Sequence, residues 1–293
     1  MRNRSGIPQP LWEIIKCGIC VVLAVGISCA VCLRMTGIEN AGLSSVFSRL
    51  DAVEQNIKNN SSDQENADDN TANPLYGKKI VYDGDSIAES RENNGGAYAS
   101  AIAKLTGSTF ENLATGGAHL SSDNEKHSVV DNLVNLPKDG DLYCFEGGIN
   151  DYWANIPIGT CDPTKYDNQV DTNTICGAME TVFRYCLENF RGKPVCFVIT
   201  HKVQKTAVKE NANGDTFQDY RNAMVEVCEK YSVPYYDAFT ESGLNGWNQT
   251  QSEQFLTGNS TGKGDGIHPN AEGYKHYYVP QLLDLFQKII PIG

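Results

Sequence analysis

The chain has 293 residues, 40% apolar and 20% charged, enough apolar material for one large core or two smaller ones. Its formal net charge of −12 argues against a nucleic-acid partner, which would need a basic face to displace phosphate counterions. That charge fits a domain acting on neutral or cationic material.

Residues 1–10 carry Arg2 and Arg4 and precede an apolar segment at 11–35 whose unbroken part is Cys17–Leu33. About 20 such residues span the hydrocarbon core of a bilayer. Arg2, Arg4 and Lys16 lie before the segment and Arg34 alone closely follows it, so residues 1–10 are expected in the cytoplasm and the remainder outside. The segment is read as an uncleaved transmembrane anchor. Its rival is a cleavable signal peptide ending near Ser28-Cys29-Ala30, and both readings export the rest of the chain. Cys17, Cys20, Cys29 and Cys32 fall inside this stretch with no histidine nearby and read as small apolar filler rather than metal ligands, with S-acylation the other option.

The next part, residues 36–73, divides in two. Leu43, Val46, Phe47, Leu50, Val53 and Ile57 recur at three- and four-residue steps and predict a short amphipathic helix. That helix either self-associates through residues 43–57 or lies on lipid or on the following domain. Asn59 to Asn73 is Asn, Asp, Ser and Gln with almost nothing to bury, a disordered tether. It sets the start of the folded domain, residues 74–293.

From Pro74 onward short apolar runs alternate with helical periods. Strands are predicted at Lys79–Tyr82, Thr109–Leu113, Leu142–Phe145, Val195–Thr200 and Pro234–Phe239. Helices are predicted near Ala97–Leu105, Val129–Leu136, Thr174–Phe190 and Thr216–Tyr231. In the third of these the apolar face runs Ile175, Met179, Val182, Phe183, Cys186, Leu187, Phe190. A last helical region follows Asn270 and breaks at Pro280, which opens a new turn. The alternation predicts an α/β fold whose five-stranded parallel sheet is covered on both faces. Cys144 and Cys196 fall in strands, and Cys186 and Cys228 on apolar helix faces, so all four read as core. Cys161 and Cys176 flank a polar loop. A disulfide there, which would contribute about 3 kcal/mol by loop length, is weighed against two reduced thiols.

Ligands of such sheets bind at the carboxyl ends of the strands, so the residues after each strand carry the functional argument. Asp83-Gly84-Asp85-Ser86-Ile87 follows the first and puts a serine hydroxyl on a tight turn entering a helix. Asn112-Leu113-Ala114-Thr115-Gly116-Gly117 follows the second, where glycine lets backbone N–H groups approach a ligand. Gly147-Gly148-Ile149-Asn150-Asp151 follows the third and offers a side-chain amide. Near the C-terminus, Asp265 precedes His268 by three residues, close enough to fix that imidazole's tautomer. Together these are a nucleophile, a base with its orienting acid, and donors for a developing oxyanion. A lone G-D-S arises by chance in roughly one chain in ten of this length; the ordered set carries the argument.

These blocks, G-D-S, a glycine after the second strand, G-x-N-D and D-x-x-H, resemble the four signature blocks of the GDSL/SGNH hydrolases. The resemblance runs from Lys78 to about Phe286 and implies a three-layer, flavodoxin-like fold. It implies Ser86 as nucleophile and oxyanion donor, Gly117 as backbone donor, Asn150 as side-chain donor, and His268 as base oriented by Asp265. Gly116 is the alternative to Gly117, and the first block reads G-D-S-I rather than G-D-S-L.

No metal or cofactor is expected, because the histidines are scattered without ligand spacing. His119 and His201 follow strands two and four and could face the cleft; His127 and His276 read as solvent-facing. Tyr152 and Trp153, and with them His201, are candidate substrate contacts, weighed against packed core positions. Export, together with the resemblance, points to an ester substrate, an acylated glycan, with the O-acetyl group favoured. The alternatives are an O-acyltransferase on the same glycan, a lipase or thioesterase, and a surface glycan-binding module without catalysis.

Overall fold

The computed structural model describes residues 73–89, 97–122, 127–166, 169–204, 209–258 and 264–291. The membrane or signal segment at 11–35, its four cysteines, the helix expected at 43–57 and the tether up to residue 72 lie outside the described residues. Among the described residues no helix is long and apolar enough to cross a membrane.

The five apolar runs form strands β1 (Lys79–Asp83), β2 (Thr109–Asn112), β3 (Leu142–Gly147), β4 (Val195–Ile199) and β5 (Tyr235–Asp237). They make one sheet in the order β2-β1-β3-β4-β5, with every pairing parallel. Helices α1 (Ser86–Glu89) and α2 (Ala97–Thr106) follow β1, and α3 (Val129–Asn132) follows β2. Helices α4 (Ile149–Trp153) and α5 (Ile175–Asn189) follow β3, and α6 (Phe217–Lys230) follows β4. The chain closes with α7 (Ala238–Glu241), α8 (Gln249–Phe255), α9 (Ala271–Tyr277) and α10 (Val279–Ile289).

Because successive strand residues point to opposite faces, the sheet divides the core in two. Val81, Tyr143, Phe145, Phe197 and Ile199 face a layer containing Val129, Ile175, Met179, Phe183, Phe217 and Met224. Ile80, Tyr82, Leu142, Cys144, Cys196 and Val198 face the other, with Tyr98, Ile102, Tyr274, Leu282 and Phe286. Helix, sheet, helix: this is the expected three-layer α/β arrangement. Each fully buried aliphatic or aromatic side chain contributes roughly 1.5–3 kcal/mol, so the double-sided burial supplies most of the cohesion.

Local differences have local causes. The helix expected over Val129–Leu136 becomes α3 plus a 3-10 turn at Leu133–Asn135. Pro137 forbids a helical Leu136, which is extended at φ −62°, ψ 132°. The C-terminal break falls at Tyr278 rather than Pro280; Pro280 sits in the first turn of α10, where a missing N–H is harmless. Leu187 lies outside the buried stripe of α5, while Glu180 lies inside it, its carboxylate held by Lys230 Nζ at 2.9 Å. No disulfide joins Cys161 and Cys176: both are free thiols, Cys176 packed into the core at the start of α5, where burial pushes its thiol up to about 12. Cys144, Cys196, Cys186 and Cys228 are buried as expected.

From β1 the chain crosses to β2 on one side and the sheet continues to β3 on the other. The carboxyl ends of β1 and β3 therefore flank the crevice where such sheets bind ligands. The turn after β1 and the end of β3 touch closely there: a side chain on Gly84 would lie 2.5 Å from the Glu146 carbonyl oxygen, so only glycine fits.

Candidate active site

Ser86 is the first residue of α1, on a turn shaped by its two neighbouring acids. Buried Asp83 accepts from Gly84 N–H at 2.8 Å and from Asn132 Nδ2 at 2.9 Å, and burial raises its carboxyl to about 6. Asp85 accepts from Ile87 N–H at 2.9 Å, which fixes the first turn of α1. Ser86 itself remains partly exposed.

The imidazole arrives from the other end of the domain. Asn270 caps α9 by accepting from Gly273 N–H at 2.9 Å, and its amide donates to Gln254 O and Thr257 Oγ1 at the end of α8. The loop 264–270 is further tied by Asp265 N–H to Leu256 O and by Gly258 N–H to His268 O. Within it Asp265 accepts from the backbone N–H groups of Ile267 and His268 at 2.8 and 2.9 Å. His268 Nδ1 lies 2.5 Å from Asp265 Oδ2, and Nε2 lies 2.9 Å from Ser86 Oγ across 182 residues of sequence. Burial alone would raise the Asp265 carboxyl, but the His268 ring and the two backbone donors hold it below the usual carboxylate range. With Nδ1–H given to an ionised carboxylate, Nε2 carries the lone pair that can take the serine proton.

The adjacent glycines separate by their hydrogen bonds. Gly116 N–H donates to Glu89 Oε2 at 2.6 Å. Gly117 has φ +80°, where glycine is favoured, and its N–H has no acceptor among the described residues. Asn150, in the first turn of α4, donates through Nδ2 to Ala118 O at 3.0 Å and to Asp85 Oδ2 at 3.2 Å. Asp151, wholly buried, accepts from Leu120 N–H, Ser121 N–H and Ser121 Oγ and thereby locks α4 against the loop after β2. The structure thus brings Ser86, His268, Asp265 and Asn150 together at the sheet edge, with Gly117 in the loop that Asn150 bonds at Ala118. A hydroxyl, a base and amide donors so arranged can attack a carbonyl and stabilise the charge that develops on its oxygen.

Two candidate substrate contacts are corrected. Tyr152 is buried against Phe217 and Tyr220, its hydroxyl donating to Lys209 O at 2.5 Å, so its ring fills core. His201 is wholly buried edge-on to Tyr278, with Nδ1 2.7 Å from the Tyr278 hydroxyl, and burial lowers it to about 3. Both side chains point inward, Tyr152 from α4 and His201 from the segment after β4, and pack into the interior instead of lining a cleft. Trp153 is exposed at the end of α4. His119 is buried; His127 and His276 are exposed. Two residues had no sequence signal strong enough to single them out. Glu146, buried at the end of β3, was legible only as an acid directly after the apolar run Leu142–Phe145. Trp247 lies on a loop whose Gly246 packs against the backbone of Gly266. Among the described residues no three His, Cys, Asp or Glu side chains form a metal-holding group.

A three-layer α/β fold with a serine, a histidine and an acid at its switch point defines the class of protein, and sequence comparison names the family. The profile of the GDSL-like Lipase/Acylhydrolase family matches residues 84–276, and the chain belongs to that family; it is an ester hydrolase. No curated protein matches it in sequence. Among solved structures it is similar in fold to a protein from Lactobacillus plantarum, 22% identical, with TM-score 0.61 over 74% of this chain and 100% of that one. A possible lipase from Chitinophaga pinensis is 16% identical, with TM-score 0.52 over 72% and 98%. A salicylyl-acyltransferase from a tetracycline biosynthetic pathway is 16% identical, with TM-score 0.51 over 74% of this chain and 56% of that one.

Proposed function

We propose that the chain removes O-acyl groups, by preference O-acetyl, from carbohydrates through an acyl-enzyme on Ser86. Ser86 Oγ attacks the ester carbonyl as His268 Nε2 takes its proton, and Asp265 stabilises the imidazolium that forms. The oxyanion is held by the N–H groups of Ser86 and Gly117 and by the Asn150 amide. His268 then gives its proton to the departing sugar oxygen, which leaves as a hydroxyl, and afterwards activates the water that releases the acid and restores the serine. The observation that carries this reading is the unbroken relay from Asp265 through His268 to Ser86.

The carbohydrate preference rests on the expected export through residues 11–35, which would place the domain among surface glycans, and on Trp153, exposed three residues after Asn150 in α4 and suited to stack on a sugar. The same segment is proposed to anchor the chain in the membrane, with the hydrolase domain outside. Acetate release from a panel of acetylated polysaccharides by the full chain tests the substrate. Release that falls when an acceptor sugar is added, with the acyl group recovered on that sugar, would reassign the reaction to acyl transfer. Failure of a fluorophosphonate to label Ser86 would leave only a binding module.

A further inference from the structure

Glu146 is the one acid in β3, on the face of the sheet shared with Cys144, and it has no solvent exposure. Its Oε1 accepts from the Thr200 hydroxyl at 2.6 Å. Its Oε2 is buried and has no hydrogen-bond partner among the described residues. Buried acceptors without a donor are rare and need a reason. Here the side chain of Glu146 lies against that of Asp85. Two carboxyl groups in contact and away from water cannot both be ionised.

The hydrogen bonds say which of them holds the proton. Both oxygens of Asp85 are already acceptors, one for Ile87 N–H at 2.9 Å and one for Asn150 Nδ2 at 3.2 Å. Glu146 Oε2 has no hydrogen-bond partner among the described residues and its side chain lies against a carboxylate, which is the environment of a hydroxyl donor. Burial and then the Asp85 charge both push the Glu146 carboxyl well upward. The surrounding groups are Tyr98 of α2, Tyr278 between α9 and α10, and Thr200 after β4, while Asp151 and His268 act on Asp85.

We infer that Glu146 is a positioning residue: protonated, it donates to Asp85, and Asp85, kept ionised, turns the NH2 edge of Asn150 toward the substrate oxygen. The asparagine amide has two faces with opposite chemistry. Against an ionised Asp85 and the Ala118 carbonyl only the NH2 edge fits, because the amide oxygen would be repelled by both. Were the proton on Asp85 instead, the reversed amide could accept it, and an oxygen would meet the developing oxyanion. The Ala118 carbonyl favours the same orientation, and the proton on Glu146 adds to it by removing the one state in which Asp85 would oppose it. In the transition state the hydrogen shared with Asp85 at 3.2 Å becomes a three-centre bond to the oxyanion.

This role rests on the esterase reading, and the test separates the two. Full-length wild type, Glu146→Gln and Glu146→Ala are compared on p-nitrophenyl acetate and by infrared spectroscopy of the carboxyl C=O region. Glutamine can donate to Asp85 and accept from Thr200, so E146Q should keep kcat within about fivefold, whereas E146A should lose roughly 10–100-fold in kcat with KM little changed. Recorded near pH 8, above the Asp83 titration at about 6, the wild-type spectrum should contain a protonated-carboxyl band that E146Q lacks. An E146Q enzyme as impaired as E146A, or a band that survives in E146Q, overturns the inference. Should E146A fail to fold, E146Q and the infrared band decide alone. Wild type that cleaves no ester would overturn the functional reading, and the band would still locate the proton.

Discussion

One imidazole is approached on its two nitrogens by groups from opposite ends of the domain, and the rate of the proposed reaction depends on both. Ser86→Ala should abolish ester hydrolysis, read as acetate release. Asp265→Asn leaves the ring contact but removes the charge that fixes the tautomer and stabilises the imidazolium; kcat should fall by about 10⁴-fold. Asn150→Ala removes one oxyanion donor, and a loss of about 10²–10³ in kcat with the fold intact is expected; wild-type turnover in that variant would remove Asn150 from the mechanism. Asp83 gives a stability signature with a definite sign. Burial raises its folded carboxyl from 3.8 to about 6, so the folded state binds the proton more tightly than the unfolded one. Its contribution is therefore fully present below pH 3.8 and is lost as pH rises through about 6. Denaturant unfolding of wild type relative to Asp83→Asn should lose about 3 kcal/mol across that window; a difference independent of pH would contradict the burial argument.

At the scale of elements, helices α5 and α6 are joined by apolar contacts and by a buried ion pair whose loss should dominate their mutational response. Glu180 accepts from Lys230 Nζ at 2.9 Å and also from Arg184 and the Tyr231 hydroxyl, with both Glu180 and Lys230 side chains almost free of solvent. Glu180→Ala strands the Lys230 ammonium in the interior and should cost about 3–5 kcal/mol in unfolding free energy. The capping box of α6, in which Thr216 and Asp219 bond each other's backbone N–H groups, is exposed. Thr216→Ala should cost only about 1 kcal/mol. A Glu180 variant no worse than the cap variant would mean that the pair's desolvation cancels its attraction. Element identity was legible because periods of two and 3.6 residues report burial directly, as in the Ile175–Cys186 stripe. Element ends were less so: Leu136 was pulled out of its helix by the next residue, and the break at Tyr278 precedes the proline that suggested it.

For the whole molecule, the topology does the work of assembly. Parallel strands all deliver their carboxyl ends to one edge, so Ser86 after β1, Gly117 after β2 and Asn150 after β3 converge without any contact between neighbours in sequence. The charge patterning of residues 1–35 adds a prediction at this scale. Expressed in full, the chain should sediment with membranes, and externally added protease should digest the hydrolase domain of intact cells. A chain protected from that protease would place the domain on the inner side and end the case for a surface glycan.

The sequence by itself determined which residue types stand after which strands, because glycine turns, a strand period and a D-x-x-H spacing are local and survive as patterns. It therefore specified the α/β class and the candidate serine, histidine and acid. Only the tertiary structure decided which of two adjacent glycines keeps an N–H without an acceptor among the described residues, since Glu89 claims Gly116 from another element. Only the structure sent Tyr152 and His201 into the core and set Glu146 against Asp85. Those outcomes depend on what burial places beside each polar group, and hydrogen-bond partners 27 to 65 residues apart leave no periodic trace in the chain.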